Sequence, residues 1–333
     1  MLTDKLQSLT IGQSEYETYE LGDFKLQSNA ILPDKALNPK EYYIIITALI
    51  GNGQSISPSN SKISPFPDIT VYDNVRAQHQ LLTQKLGVHH LRCVTGWSMG
   101  AGQSFQWASQ YPDFMDICVP FCGSARTSIH NQVFLEGVKS ALLAGKGVSS
   151  AGSTFGRVEQ KSAEERTWTE TERAVGLKAF ARVYAGWGFS QAFYRQKLHV
   201  TAYGAKDLED FMITFWEKWA LSKDPENLLV MLHTWQAADI SIQEPYHGDF
   251  EKALGSIKAK TLVLPGKTDL YFPPEDSEYE VQNMAPGVGE LDVYPSIWGH
   301  WAGGPPGNLE DVKWLDQRLK RMLADTPKMD VIA

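Results

Sequence analysis

The residues Gly96-Trp97-Ser98-Met99-Gly100 match the pattern G-x-S-x-G between a predicted strand and a predicted helix, and they are the strongest indication of the fold of this chain. Residues 91–95 are a short apolar run typical of a buried strand, and residues 99–111 have the apolar spacing of a helix. A serine hydroxyl is a weak nucleophile that must stand clear of the sheet to meet a base and a substrate carbonyl. A sharp turn from strand to helix exposes it, and glycines on both sides of the serine relieve the crowding of the backbone.

Strands and helices alternate on both sides of this turn, which is typical of an α/β protein with a mostly parallel sheet flanked by helices. Runs rich in β-branched residues predict the strands, and apolar residues at helical spacing predict the helices. The predicted strands are residues 42–50, 91–95, 117–121, 261–265 and 291–295, and the predicted helices of the core are residues 73–86, 99–111 and 312–323.

Residues 125–247 differ from the rest of the chain, because they are helical in pattern, rich in aromatic residues and poor in β-branched runs. A helical segment between two parts of one sheet indicates a cap inserted into a single core. We therefore expect the first part of the core at residues 1–124, a helical cap insertion at 125–247 and the second part of the core at 248–333.

Composition limits the possible partners and the location of the protein. The 333 residues carry a formal charge of −8, and 43% of them are hydrophobic, which is typical of a globular protein. The net acidity argues against nucleic acid or an anionic membrane as a partner, because phosphate binding needs a concentrated positive surface. Residues 1–14 lack the apolar segment of a secretory signal, and no apolar stretch is long enough to span a bilayer. We therefore expect a cytoplasmic protein.

The three cysteines, Cys93, Cys118 and Cys122, are too few for a disulfide framework, so we expect buried free thiols. No second Cys/His pair lies at the spacing of zinc ligands, and the glycine patterns of nucleotide-binding loops are incomplete. The sequence therefore predicts no metal site and no bound cofactor.

A nucleophilic serine needs a histidine base and a carboxylate that orients it, in the chain order Ser, Asp or Glu, His. His300 lies in a glycine-rich loop after the last predicted strand, which is the expected place for the base. Asp269 directly follows the strand at 261–265 and is the first candidate for the acid, with Asp276 as the second. The helix after Ser98 directs its first backbone N–H groups toward the developing negative charge, so Met99 is a candidate oxyanion donor.

These residues resemble the homoserine O-acetyltransferase-like branch of the α/β-hydrolase fold superfamily. The resemblance implies a triad of Ser98, Asp269 and His300, a helical cap, often a homodimer, and a ping-pong mechanism through an acyl-enzyme. It implies no bound cofactor, since acetyl-CoA would be a substrate. The resemblance covers roughly residue 39 to the C-terminus, and it is carried by residues 73–78, 96–100, 103, 106–108, 111–113, 272–275 and 299–300.

The function implied is acyl transfer by a serine nucleophile from a small-molecule ester or thioester, as an α/β hydrolase or an O-acyltransferase. The acetyltransferases have an arginine in the cap that holds the amino-acid carboxylate, and Arg195 is only a loose match, so homoserine is not established as the acceptor. Water or a hydroxyl-bearing small molecule then receives the acyl group. Trp97, Trp187 and Trp235 are candidates to line an acyl pocket, and packing within the cap is the alternative for each.

The chain also departs from the family in its central sheet. Family members have a strand and its oxyanion loop before the strand that matches residues 42–50, but here residues 31–35 run almost directly into that strand. Losing one oxyanion donor costs on the order of 3 kcal/mol in the transition state, and the neighbouring strands lose backbone partners. Either residues 49–53 shift into the gap, or the sequence is a truncated gene model, or the chain is a degenerate relative. The alternative function is therefore a catalytically impaired binding protein on this fold.

Overall fold

The computed structural model describes residues 36–38, 40–147, 167–303 and 308–327. Its described residues contain one parallel sheet in the strand order β1-β2-β3-β4. Because each strand is followed by at least one helix before the next, the connections are the crossovers that parallel pairing requires. The strands are β1 (Leu91–Trp97), β2 (Met115–Phe121), β3 (Lys260–Val263) and β4 (Gly289–Leu291).

Helices cover both faces of this sheet. Alternate residues of β2 face opposite sides, so Cys118 packs with α1 and α2, whereas Ile117 and Val119 pack with α12. The helices are α1 (Val71–Gln80), α2 (Met99–Gln110), α3 (Ile129–Ala144), α4 (Glu170–Gly188), α5 (Gln191–Arg195), α6 (Leu198–Thr201), α7 (Leu208–Phe211), α8 (Lys218–Leu221), α9 (Pro225–Gln236), α10 (Phe250–Gly255), α11 (Pro274–Gln282) and α12 (Leu309–Asp325).

Most predicted elements of the core are confirmed. The predicted strands at 91–95, 117–121 and 261–265 correspond to β1, β2 and β3, and the predicted helices at 99–111 and 312–323 correspond to α2 and α12. The predicted helix at 73–86 is α1 followed by the π-helical turn Leu81–Lys85. The predicted strand at 291–295 is only partly right, because β4 ends at Leu291 and a single bridge from Tyr294 to Gly266 continues the pairing.

The predicted strand at 42–50 is wrong. These residues are irregular apart from one bridge at Thr47, although they are apolar. A cavity of about 470 Å³ is lined both by residues 42–47 and by residues 91–95 of β1, so the two segments do not pair. Within the described ranges β1 is the edge of the sheet, and the gap lies where the family pattern requires a further strand. A strand is stabilised by its neighbours, and among the described residues no strand pairs with this apolar run, which is irregular there.

Among the described residues, the region between β2 and β3 has no named strand and contains the helices α3 to α10. Its core is aromatic and includes Phe180, Phe189, Phe193 and Trp216, all fully buried. Where the chain enters and leaves this region, residues 126 and 239 form an antiparallel bridge.

The cysteines are free, as expected, with Cys118 and Cys122 buried and Cys93 half-buried. Burial raises the pKa of Cys93 to about 12, so this thiol is unsuited to act as a nucleophile. None of the helices in the described ranges has both the length and the hydropathy needed to cross a bilayer.

Candidate active site

Ser98 occupies the turn between β1 and α2, with backbone angles φ 60° and ψ −123°. This conformation is uncommon for a residue other than glycine and marks a strained backbone. The turn is tightly packed: a Cβ on Gly96 would lie 2.2 Å from the carbonyl oxygen of Gly100, and a Cβ on Gly123 would lie 2.5 Å from the carbonyl oxygen of Ser98. A Cβ on Gly100 would meet nothing within 4 Å, so relief of crowding explains Gly96 but does not explain Gly100.

Asp269 lies in the turn that follows β3. Its backbone N–H donates to the carbonyl oxygen of Gly266 at 3.1 Å. Its side-chain Oδ1 accepts the backbone N–H groups of Tyr271 at 2.8 Å and Phe272 at 3.2 Å. These bonds compensate for the loss of water around a carboxylate that is only 4% exposed.

His300 lies in the short 3-10 turn Gly299–Trp301 and is 2% exposed. Its Nδ1 is 2.8 Å from Asp269 Oδ2, and its Nε2 is 2.8 Å from Ser98 Oγ. The imidazole stacks on the indole of Trp97, with 4.9 Å between ring centroids, and Trp97 Nε1–H donates to the His300 carbonyl oxygen at 3.0 Å. The turn that carries the serine therefore also holds the histidine.

This arrangement can transfer a proton away from a serine hydroxyl. Because a carboxylate only accepts hydrogen bonds, Asp269 favours the tautomer of His300 with the proton on Nδ1. Nε2 then presents its lone pair to the hydroxyl of Ser98, which is the geometry that general-base catalysis requires. The structure brings together Ser98, Asp269 and His300, whereas Asp276, the second candidate acid, lies on α11 and is not the partner of His300 Nδ1.

A small cavity of about 10 Å³ adjoins Ser98, and no described residue in its lining is charged. Of the three candidate tryptophans, Trp235 lines it, while Trp97 packs on His300 and Trp187 packs on Phe134. The lining residues are Val71, Ser98, Met99, Gly102, Ser124, Thr127, Trp235, Ala238 and Phe272. Arg195, the loose match to the arginine of the acetyltransferases, is exposed at the end of α5 and is not among them.

Met99 is the first residue of α2, so its backbone N–H is one of those that a helix leaves without an internal partner. The loop at residues 49–53 does not move into the gap beside β1. Ile50 N–H donates to Asn74 Oδ1 of α1 at 2.9 Å, and Gly51 packs closely on Val230 of α9. Of the three explanations for the gap, the shift of residues 49–53 into it is therefore wrong.

Sequence reasoning missed the residues that hold the acid and the base in place. The backbone N–H groups of Tyr271 and Phe272 could have been found, because an aspartate in a turn often accepts from the residues that follow it. The contact between Trp97 and His300 joins residues 203 positions apart, so no local pattern indicates it.

Comparison with known proteins identifies the family of this chain. A family model described as the alpha/beta hydrolase fold matches residues 22–303. The chain is 37% identical over 270 residues to an ethyl acetate hydrolase of Pseudomonas veronii, covering 80% of this chain and 72% of that protein. It is 29% identical over 287 residues to a homoserine O-acetyltransferase of Nostoc punctiforme, covering 80% and 73%.

The same fold is found among solved structures. An acetylester hydrolase from Corynebacterium glutamicum matches with a TM-score of 0.76 at 31% identity, covering 87% of this chain and 79% of that one. These matches confirm the predicted fold and the resemblance to the homoserine O-acetyltransferase-like branch. This chain therefore belongs to the α/β-hydrolase fold family and is an enzyme of that family.

Proposed function

We propose that this enzyme hydrolyses small acyl esters through an acyl-enzyme formed on Ser98. His300 is the general base, Asp269 orients the imidazole, and the backbone N–H of Met99 is an oxyanion donor. The proposal is carried by the continuous chain of hydrogen bonds from Ser98 Oγ through His300 to Asp269, with 2.8 Å at each of its two steps.

Each step uses a group of known position. Ser98 Oγ attacks the ester carbonyl carbon while its proton passes to His300 Nε2, and Asp269 stabilises the imidazolium. The Met99 N–H donates to the negative carbonyl oxygen. The C–O bond to the alcohol then breaks, the alcohol leaves with the proton from His300, and the acyl group stays on Ser98. A water gives one proton to His300 and attacks the acyl carbon. The bond from that carbon to Ser98 Oγ then breaks, His300 returns the proton to Ser98 Oγ, and the carboxylic acid leaves.

Two observations favour water as the acceptor and a short acyl group. The relative named ethyl acetate hydrolase is more similar to this chain than the homoserine O-acetyltransferase is. The cavity at Ser98 is small and is bounded by the large side chains of Trp235 and Phe272. The similarity to the acetyltransferase favours a second candidate, transfer from an acyl thioester such as acetyl-CoA to a small hydroxyl-bearing acceptor.

The gap beside β1 favours the alternative, a binding protein with impaired catalysis. Met99 then supplies one oxyanion donor without a second from the strand that the family pattern requires. The alternative predicts an ordered serine, histidine and aspartate with little reactivity at the serine.

We also propose that the chain divides into a core and an inserted cap and that it assembles as a dimer. The core consists of residues 1–124 and 248–333, and residues 125–247 form the inserted cap, since the described elements between β2 and β3 are helices. We propose a cytoplasmic location, which the sequence features predict, and a homodimer, which the family resemblance implies. Gel filtration with light scattering tests the dimer directly.

Intact-protein mass spectrometry after treatment with a fluorophosphonate tests the function. We expect one adduct on the wild-type chain and none on Ser98→Ala. Ser222→Ala is the matched control, because it removes the hydroxyl of an exposed serine and should leave the adduct unchanged. Absence of an adduct on folded wild-type protein would reject the enzyme mechanism and support the impaired binding protein.

A further inference from the structure

Glu280 is a buried carboxyl group that none of the proposed catalytic steps uses. It lies on α11 and is 2% exposed. Its Oε1 accepts the backbone N–H of Ala125 at 2.6 Å. Among the described residues, its Oε2 and the hydroxyl of Ser277 on the same helix are buried without a hydrogen-bond partner. A buried carboxyl with one oxygen unpaired is costly, so this position needs an explanation.

Ala125 is the point at which the chain leaves the core for the helical region. Its carbonyl oxygen accepts the N–H of Ile240 at 3.2 Å, and the N–H of Thr127 donates to the carbonyl oxygen of Ala238 at 2.9 Å. The entering segment, residues 125–127, is thus bonded to the returning segment, residues 238–240. The bond from Glu280 ties both segments to a helix of the core.

The same segments form part of the wall around Ser98. Ser124 and Ala238 line the small cavity, and the carbonyl group of Ser98 packs directly on Gly123. Movement at Ala125 would therefore displace residues that contact the serine turn.

The charges nearest to Glu280 do not offset its burial. Asp276, one turn earlier on α11, disfavours the ionised form, and Arg126 on the entering segment favours it. The guanidinium of Arg126 lies over the ring of Phe250, 3.9 Å from the ring centroid. Loss of water outweighs the bond from Ala125 and raises the pKa of Glu280 from 4.5 to about 8.

Acidic groups on the other neighbouring elements have their own hydrogen-bond donors. On the returning segment, Asp239 accepts the hydroxyl of Ser241 at 2.6 Å. On α10, Glu251 accepts the hydroxyl of Tyr279 at 3.0 Å. Asp239 and Glu251 act here as hydrogen-bond acceptors, so neither stabilises an ionised Glu280.

We propose that Glu280 is a proton-linked latch, whose neutral carboxyl fastens the entering and returning segments to the core and whose ionisation releases them. On release the proton goes to solvent and the carboxylate becomes hydrated. The consequence for Ser98 rests on the proposed function, but the latch itself does not.

The latch has a defined pH dependence. The closed state keeps its proton up to about pH 8, whereas a hydrated carboxyl in the opened segment gives it up near pH 4.5. Between these two pH values opening therefore releases one proton, and the opened fraction rises about tenfold for each unit by which the pH rises. Above the upper value both states are ionised and the dependence ends.

Amide hydrogen exchange at Ala125 in the full chain tests the latch without using activity. After correction for the intrinsic exchange rate, protection at Ala125 should fall about a hundredfold between about pH 5.5 and about pH 7.5 in the wild type. In Glu280→Gln, which keeps an acceptor oxygen but cannot ionise, this fall should be absent. Glu278→Gln, the same change on the exposed side of α11, should keep the wild-type fall. A wild-type protection independent of pH, or a fall that persists in Glu280→Gln, would overturn the latch.

Labelling of Ser98 by the fluorophosphonate at about pH 6 tests the link to the site. Glu280→Ala leaves the Ala125 N–H without a partner and should slow labelling about tenfold, whereas Glu280→Gln should label within about twofold of the wild type. Equal labelling rates in Glu280→Ala and Glu280→Gln would overturn the link between the latch and Ser98. If Glu280→Ala fails to fold, the exchange profiles of the wild type and Glu280→Gln decide. An unreactive Ser98 in the wild type rejects the proposed function, and the exchange profiles still decide the latch.

Discussion

The two edges of β1 have opposite surroundings. Toward β2 the pairing is continuous from Leu91 to Trp97, and Ile117 and Val119 of β2 are fully buried. Toward residues 42–47 lies the cavity of about 470 Å³, and every residue of β1 is only partly buried. The strand that leads to Ser98 is therefore paired along one edge and borders a cavity along the other.

This difference separates the proposed catalytic groups into two sets, the serine with its aspartate and histidine, and the oxyanion loop of the family pattern. Ser98, Asp269 and His300 come from loops after β1, after β3 and after the bridge at Tyr294, so all three depend on the paired side. The oxyanion loop of the family pattern belongs to the open side. The serine, histidine and aspartate can therefore assemble although no strand pairs with the open edge of β1 among the described residues, because their positions depend on a different part of the sheet.

The largest expected effect distinguishes the two glycines of the serine turn. Gly96→Ala places a Cβ against the backbone of Gly100 and should destabilise the fold by about 3 kcal/mol or more and abolish Ser98 labelling. Gly100→Ala adds a Cβ toward open space, and Gly100 lines the cavity beside β1, so it should leave labelling unchanged. Denaturant unfolding and fluorophosphonate labelling measure both effects. Equal destabilisation by Gly96→Ala and Gly100→Ala would mean that the cavity beside β1 is filled in solution.

The second prediction concerns the rate of ester hydrolysis. With Met99 as the proposed oxyanion donor and no second donor from a strand beside β1 in the described residues, we expect hydrolysis of p-nitrophenyl acetate to be about 10²- to 10³-fold slower than by the ethyl acetate hydrolase of Pseudomonas veronii measured in parallel. A kcat/KM equal to that of the relative would show that a second donor reaches Ser98 from elsewhere in the chain.

The smallest effect compares the same substitution on both sides of β1. Val119→Phe inserts a ring into the packed face between β2 and α12 and should cost about 1–3 kcal/mol of the free energy of unfolding. Val94→Phe adds the same volume beside the cavity and should change that free energy by less than about 0.5 kcal/mol. Similar costs for the two variants would show that the cavity is occupied in solution.

The successes and the failure of sequence reasoning have a common physical cause. Residues 91–95 and 117–121 were predicted correctly, because their apolar runs lie next to helices that cover them and strands that pair with them. Residues 42–50 have an equally apolar run, but no neighbouring strand stabilises them among the described residues. Local composition measures the tendency of a segment to be buried, whereas pairing depends on a partner elsewhere in the chain.

The serine turn, the alternation of strands and helices, and the order of serine, aspartate and histidine could all be predicted from the sequence, because they depend on local spacing and on residue chemistry. Three features could be found only in the folded chain. They are the 2.8 Å distance from His300 Nε2 to Ser98 Oγ, the edge of β1 that no strand pairs with among the described residues, and the burial of Glu280 against Ala125. The physical reason is that hydrogen bonds, pairing and burial between residues far apart in the chain depend on packing, which no local pattern records.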